Sequence, residues 1–469
     1  MKWLIVEDAL RDRKGHWLEY VSTFVRELRT LGDEVVVLCD RKAQGFVMEQ
    51  TGARPVLPES IWHRMGDGAG AMKRYLRVPG HAWATFVAVR RVFRELFSAQ
   101  PATSYPIPAT SIPPDWIFVP TVLVHHLLGW WMLLKTGSVA KDARMLLFFP
   151  NLPIRLDNEG HPHWHGGPTT KLMAWLFASL RGDVESGKLV LGVETHAMRR
   201  ALEGLIRMPV VYLPHPVDVK PGGEESSEGL VADGSKLVPS SATGNALDAG
   251  RSTLDTEASA SPIVFGCYGA ARWEKGSDIF QEAIQLILKN EVASVGCRVA
   301  SVKDKAELVT RDPLPATAAG RPLRFAIQWV EDFRDEDGNL VSINPWFLEH
   351  PQVEVIGRYF ERGEYERRLV TTDVMVLPYR SPYRLRVSRV VIEAMLNGVP
   401  VITTRGTTLF EQAQEYGVVI GCEEGDAESL AQAMQEVAQR FKMFRASAEG
   451  KRNTAAESFS VGYFRELIK

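Results

Sequence analysis

Cysteine is scarce in this chain and scattered along it. Among 469 residues only Cys39, Cys267, Cys297 and Cys422 carry a thiol, and no two stand at C-x-x-C spacing. That excludes a disulfide framework and a thiolate zinc site, and makes buried thiols of a reducing compartment the expectation. Net charge is nearly missing as well, with 55 basic against 57 acidic side chains. Nothing in that balance demands a nucleic acid or another polyanion as partner. Collagen-like, coiled-coil and wholly disordered compositions are absent, as is any repeat of about 20–50 residues. The opening MKWLIVEDALRDRKGHW meets acid and base after few apolar residues, so it does not read as a signal peptide. Long apolar runs reduce to one stretch, 116–134, with 19 uncharged residues. Pro120, His125, His126 and Gly129 interrupt it and divide it into a strand (WIFV) and a helix (LGWWMLLK). The expectation is a soluble, cytoplasmic protein.

What is present is an α/β rhythm. Trp3 to Val6 is a short apolar run suited to a buried parallel strand. A loop with Gly15 and His16 follows, then Trp17, Val21, Phe24, Val25, Leu28 and Leu31 at helical spacing. Gly32 ends that helix, and Val35 to Cys39 is the next strand. Such a unit puts its first loop where doubly wound sheets take ligands. Further strands are expected at 145–149, 189–193 and 210–213, and helices at 83–97, 170–180 and 195–206.

The composition then changes. Residues 219–261 hold no aromatic side chain and seven acidic against three basic residues. Too little apolar area is available there to offset ordering entropy, so the segment reads as a flexible linker. It separates an N-terminal domain, 1–218, from a C-terminal one, 262–469. In the second, strands are expected at 263–267, 323–329, 353–357, 373–378, 399–403 and 417–421, with helices near 388–397, 426–441 and 458–469. The fold class is α/β, with two doubly wound, Rossmann-like domains facing across a cleft.

Two blocks carry chemistry. The first, Gly269-Ala-Ala-Arg272-Trp-Glu-Lys275-Gly276-Ser277, lies between a strand and a helix. Arg and Lys three positions apart beside a helix N-terminus can clamp a diphosphate, or can be solvated charges of a polar turn. The second runs from Asp373-Val-Met-Val-Leu-Pro378 through an Arg-rich loop to Ser388 and Glu393-Ala-Met-Leu-Asn-Gly398-Val-Pro400. A carboxylate one turn into such a helix can hold two adjacent hydroxyls of a ribose, or simply favour the helix dipole from its surface.

Together the blocks resemble the nucleotide-sugar domain of retaining GT-B glycosyltransferases, the glycosyl transferases group 1 or family 4-like type. There a G-x-x-R…E-K-G turn serves the donor diphosphate, and a helix reading EAm-x-x-G-x-PV follows the strand and its loop. The resemblance implies Arg272 and Lys275 on the pyrophosphate, Glu393 on the ribose and Ser388 on the donor side. It also implies an acceptor-side loop at Gly15 and His16, with Tyr212 to Asp218 closing the first domain. His16 and His126 are the candidates for a catalytic role. The implied reaction moves a sugar from a nucleoside-diphosphate sugar to a sugar, lipid-linked or small-molecule acceptor in carbohydrate biosynthesis. It would proceed with retention, with no metal, and with no cofactor besides the donor. An inactive nucleotide-sugar-binding protein and a GT-B epimerase are the alternatives.

One departure bears on that choice. The family carries a glutamate eight positions before the ribose carboxylate, where this chain has Leu385 between Arg384 and Arg386. Either the donor sugar is anionic or its contact comes from elsewhere. His161, His163 and His165 alternate in a Gly/Pro-rich loop, read as acceptor-side rather than metal-binding. Segment 73–97 sets Trp83, Phe86, Val89, Phe93 and Leu96 on one stripe among arginines. It can pack on the sheet or lie on an anionic membrane, giving possible peripheral attachment at a membrane's inner face.

Overall fold

The expected apolar runs become parallel strands because each is short, β-branched or aromatic, and stopped by Gly, Pro or a charge. The computed structural model describes residues 1–13, 17–60, 71–97, 113–157, 159–217, 261–269, 271–300, 317–318, 321–330, 333–335, 337–361 and 363–469. The described chain divides into two compact units.

The first unit comprises Met1–Asp218, Leu385–Val387 and Glu457–Lys469. Its strands are β1 (Lys2–Glu7), β2 (Glu34–Asp40), β3 (Arg54–Leu57), β4 (Trp116–Val119), β5 (Arg144–Phe149), a short hairpin of β6 (Ile154–Leu156) and β7 (Pro162–Trp164), β8 (Leu189–Val193) and β9 (Val211–Tyr212). The main sheet has the order β3-β2-β1-β4-β5-β8-β9, with every described pairing parallel. Because side chains alternate, Leu4 and Val6 enter one hydrophobic cluster while Trp3 and Ile5 enter the other, on the opposite face. Chain order reverses at β1 and β4, which pair directly. The crevice beyond their carboxyl ends is therefore this sheet's switch point.

The expected helix at 83–97 is the C-terminal part of a longer one, Ala71–Phe97, with Pro79 inside it. Its buried stripe is Ala82, Thr85, Phe86, Val89, Val92 and Phe93, whereas Trp83 is 60% exposed. Trp83 thus does not belong to the stripe assigned to it: the i, i+3, i+4, i+7 series that faces the core starts one residue earlier, at Ala82. The uncharged run at 116–134 divides between β4 and the helix Val124–Lys135. No helix among the described residues is long and apolar enough to cross a membrane.

The second unit comprises Val219–Arg384 and Ser388–Ala456. Its strands are β10 (Ile263–Cys267), β11 (Thr317–Ala318), β12 (Arg321–Gln328), β13 (Val353–Ile356), β14 (Val374–Leu377), β15 (Val401–Thr404) and β16 (Val419–Cys422). They run β11-β12-β10-β14-β15-β16, with β13 also on β12 and only β11 antiparallel. Here the order reverses at β10 and β14. Both sequence blocks emerge at those two carboxyl ends.

Of the linker assigned to 219–261, all but Ser261 lies outside the described residues. The terminal helix Val461–Leu467, which continues the C-terminal domain in the sequence reading, has Val461 and Phe464 in the first unit's core. Phe464 meets Phe24 edge-on with ring centroids 4.8 Å apart.

Candidate functional site

In the second unit the loop after β10 is built for close approach. Gly269 has φ +103°, and a Cβ there would lie 2.6 Å from Lys275 Nζ. Gly276 has φ +64°, and its Cβ would lie 2.1 Å from the Pro378 carbonyl oxygen. Glycine is required at 276 both for the left-handed backbone and for the contact with the strand exit. Arg380 bolts the two loops together. Its guanidinium makes a bidentate pair with Asp278 at 2.9 and 2.8 Å, donates to the Trp273 carbonyl, and lies over the Trp273 ring. Its backbone N–H donates to the Glu274 carbonyl at 2.9 Å.

Within that frame Lys275 is half-buried while Arg272 is exposed, with the Glu274 carboxylate at 3.8 Å. Burial lowers the Lys275 ammonium below the ordinary lysine range, and the neighbouring Arg272 charge adds to the effect. Two cations held together gain from an anion placed between them. Glu393 stands in the helix Arg389–Leu396, whose N-cap is the buried Ser388. Tyr365 Oη donates to Glu393 Oε2 at 2.6 Å, and Arg389 Nε donates to Oε1 at 2.6 Å. Tyr365 belongs to a different helix, Glu364–Thr371, and its ring meets Tyr268 at 6.3 Å, next to the loop after β10. Burial, then the Glu393 charge, push the Tyr365 hydroxyl well above its ordinary value, so it stays a donor. The motif residues Arg272, Lys275, Ser388 and Glu393 thus all stand on the loops and helix starts at one sheet end.

The loop beyond Ser381 is less available than its arginines suggest. Arg384 pairs with Glu424 at 3.0 Å. Leu385 packs against the first unit's core, and its carbonyl accepts from Thr195 Oγ1 at 3.3 Å.

In the first unit the switch point holds a second polar cluster. Glu7 ends β1, and Asp8 follows it; both are buried. His125 and His126 open the helix after β4, and His81 enters from the helix Ala71–Phe97. Leu123 N–H donates to His126 Nδ1 at 3.1 Å, so the ring proton sits on Nε2 and is given to Asp8 Oδ2 at 2.9 Å. His81 Nε2 lies 3.2 Å from the same oxygen. Burial, reinforced by the Asp8 charge, pushes the Glu7 carboxyl up to about 8. Burial also acts on Asp8, but His126 and His81 more than reverse it and hold Asp8 below the ordinary carboxylate range. Burial drops His125 well below its usual value, so that ring is neutral at pH 7. For His126 burial favours the neutral ring and Asp8 opposes it, with a net upward shift. The bond from Leu123 is compatible only with the neutral form.

Of the catalytic and acceptor-side candidates, Gly15 and His16 lie outside the described residues. His126 has both ring nitrogens engaged. His161, His163 and His165 are exposed on and beside the β6–β7 hairpin; His161 lies 3.5 Å from Asp157 and 3.4 Å from Glu159, and among the described residues they form no metal-ligand group of three. Sequence reasoning missed Tyr365, Asp278, His81 and the Glu7–Asp8 pair. Only the last had a signal, an acidic pair at a strand's carboxyl end.

Residues 338–440 match the family model described as "Glycosyl transferases group 1". No curated protein matches the chain in sequence. Among solved structures, a glycosyltransferase from Rickettsia africae superposes with a TM-score of 0.56 at 10% identity, over 100% of this chain and 99% of that one. HepE from Anabaena, in complex with UDP, gives 0.55 at 13% identity, over 100% and 98%. Sucrose-phosphate synthase from Thermosynechococcus elongatus gives 0.53 at 13%, over 100% and 97%. At these identities the likeness is one of fold, and the fold is GT-B: two doubly wound α/β domains.

Proposed function

We propose, taking as premise that this is a GT-B glycosyltransferase, that it moves a sugar from a nucleoside-diphosphate sugar to a hydroxyl-bearing acceptor. The observation that carries the reading is the shared sheet end in the second unit, where Arg272, Lys275 and Glu393 stand on the elements that follow β10 and β14. The two cations suit a diphosphate, and the tethered carboxylate suits a ribose.

Charge builds on the leaving diphosphate as its bond to the sugar breaks. Arg272 and Lys275, carried on one short turn, meet that charge, so on this reading the diphosphate needs no divalent cation. Retention of anomeric configuration, expected from the family resemblance, completes the reading. A uridine diphosphate sugar is the first donor to try. HepE was solved with UDP and with UDP-glucose, and the related E. coli trehalose-6-phosphate structure with UDP-2-fluoro glucose.

The decisive assay follows release of nucleoside diphosphate from a panel of nucleotide sugars, with and without acceptor sugars, and with no added Mg²⁺ or Mn²⁺. Turnover abolished by Glu393→Ala supports the reading, and NMR of the product anomer decides retention. Donor binding with no turnover against any acceptor would favour the non-catalytic binder, a reading that the engaged Leu385 keeps open. A strict need for added Mg²⁺ would overturn the cation-free diphosphate.

The acceptor side extends to a membrane surface. Trp83 and Val87 stand exposed on the helix Ala71–Phe97, with the exposed Arg91 on the next turn. Such a face suits an anionic bilayer. Co-sedimentation with anionic but not neutral vesicles, weakened in Trp83→Ala, is the expected outcome; equal behaviour toward both would end this part of the reading.

A further inference from the structure

The polar cluster at the first unit's switch point is not explained by hydrogen bonding. The ligand-type atoms of Asp8, His81, His125 and His126 all lie within 4.8 Å of one another, and the four residues are 3–6% exposed. Yet among the described residues only His126 is satisfied at both nitrogens. His81 Nε2, His125 Nε2 and Asp8 Oδ1 are buried and make no hydrogen bond. Groups with such strong pairing requirements are rarely left buried and unpaired. Orphaned ligand-type atoms on three residues of this one cluster call for a common partner.

We propose that His81, His125 and Asp8 bind one divalent transition-metal ion, and that His126 orients the carboxylate from behind. Hydrogen bonds at the second ring nitrogen sort His81 and His126 into these roles. His81 Nδ1 lies 3.4 Å from Thr85 Oγ1, which can accept its proton and leave the Nε2 lone pair facing Asp8. His126 is the reverse: Leu123 N–H occupies Nδ1, so Nε2 keeps its proton and donates to Asp8. A ring in that state cannot ligate through Nε2, but it is the kind of partner that fixes a ligating carboxylate.

The spacing fits. Bonds of about 2.0–2.1 Å in a tetrahedral site put neighbouring ligand atoms roughly 3.3 Å apart. His81 Nε2 and Asp8 Oδ2 are 3.2 Å apart. Two imidazoles and a carboxylate, with no thiolate, suit zinc, iron(II), cobalt(II) or nickel(II) rather than calcium or magnesium. Three protein ligands leave a fourth position for water or a hydroxyl oxygen. The ion would join the end of β1 to two helices that are distant in sequence, and burial means it would be taken up as the chain folds. The site lies in the first unit, rests on no part of the transfer reaction, and departs from the expectation of no metal. That expectation came from the family resemblance, with Cys spacing excluding a thiolate site, and neither can see side chains gathered from three elements.

The test uses the full chain, produced with zinc and separately with cobalt(II), desalted, and measured by elemental analysis. About one ion per chain is expected, and the cobalt form should show the visible absorption of a four-coordinate site. His81→Ala and His125→Asn should each lose the ion. His126→Ala should keep it with affinity reduced about 10–100-fold, and His161→Ala, on the exposed hairpin, should match the unchanged chain. Circular dichroism checks that each variant folds. A folded chain without bound ion, a cobalt form with no visible absorption, or an ion retained by His125→Asn would each overturn the proposal. The first two readouts use the unsubstituted chain, so they decide even if a variant fails to fold.

Discussion

Tyr365 Oη lies 2.6 Å from Glu393 Oε2, and the two residues come from different helices. The bond joins a charged acceptor to a half-buried donor, which places it among the stronger hydrogen bonds of the fold. It leaves the Glu393 oxygens with lone pairs for hydroxyls, since a carboxylate has about four acceptor sites. Tyr365→Phe removes the donor and keeps the ring. The expected outcome is a donor KM raised about 10-fold with kcat within about 2-fold, because what is lost is positioning of the ribose contact. Steady-state kinetics with varied donor check it; an unchanged KM would show that Arg389 alone holds the carboxylate.

Arg272 and Lys275 should split differently. Each faces charge that grows in the transition state, so Arg272→Ala and Lys275→Ala are expected to lower kcat by about 10²-fold. Lys275 also gives a pH signature. Its ammonium is already depressed by burial and by Arg272, and a bound diphosphate favours the protonated form. Donor affinity is therefore full at low pH and is lost as pH rises through the depressed Lys275 value, below the range of an ordinary lysine. Donor titrations from neutral to alkaline pH should show this loss, and it should move in Arg272→Ala, where one of the depressing charges is gone.

Glycines at the same turn carry unequal loads. At Gly276 an added Cβ would meet backbone, the Pro378 carbonyl oxygen, and the left-handed φ adds strain. Gly276→Ala is expected to cost about 2–3 kcal/mol in chemical denaturation. At Gly269 the opposing atom is the far end of the Lys275 side chain. The φ of +103° strains Ala there too, but that side chain can move, so Gly269→Ala should lose less stability than Gly276→Ala while displacing Lys275 and weakening donor binding more. Similar stabilities and donor affinities for the two variants would contradict this division.

These residues also show what was legible in the chain. The central strands were plain, because a parallel strand covered on both faces is an unbroken apolar run such as Val374-Met-Val-Leu377, whereas the short β3, β6, β7 and β11 have no such run and were not expected. Arg272, Lys275 and Glu393 were found because glycines and a strand exit lie within a few residues of them. Tyr365 and His81 had no such marker. Each sits on a helix whose spacing says only that one face is buried, and their partners lie 28 and 73 residues away. Trp83 was misplaced because bulk and hydrophobicity outweighed a one-residue offset in phase. The terminal segment Glu457–Lys469 reads as an ordinary amphipathic helix, and its sequence does not say which unit takes it.

That terminal segment is held by charge as well as by packing. Arg465 donates to both oxygens of Asp33 at 2.8 and 3.0 Å, while the N-terminal ammonium and Trp3 Nε1 also donate to this carboxylate, at 2.7 and 3.0 Å. Burial alone would raise Asp33, but Arg465, the N-terminus and Trp3 outweigh it and the carboxyl is lowered. A carboxylate depressed in the folded state contributes stability that is fully present above its unfolded value of about 3.9. That contribution is lost as pH falls through the lower folded value. Arg465→Ala should cost about 2 kcal/mol at neutral pH, the scale of a hydrogen bond to a charged group. At acid pH, below the lowered folded value, where Asp33 takes up its proton, the gap between variant and unchanged chain should narrow. Thermal melts across this range measure both quantities. A gap that stayed constant with pH would mean that the Arg465 stem, and not its charge, secures the helix.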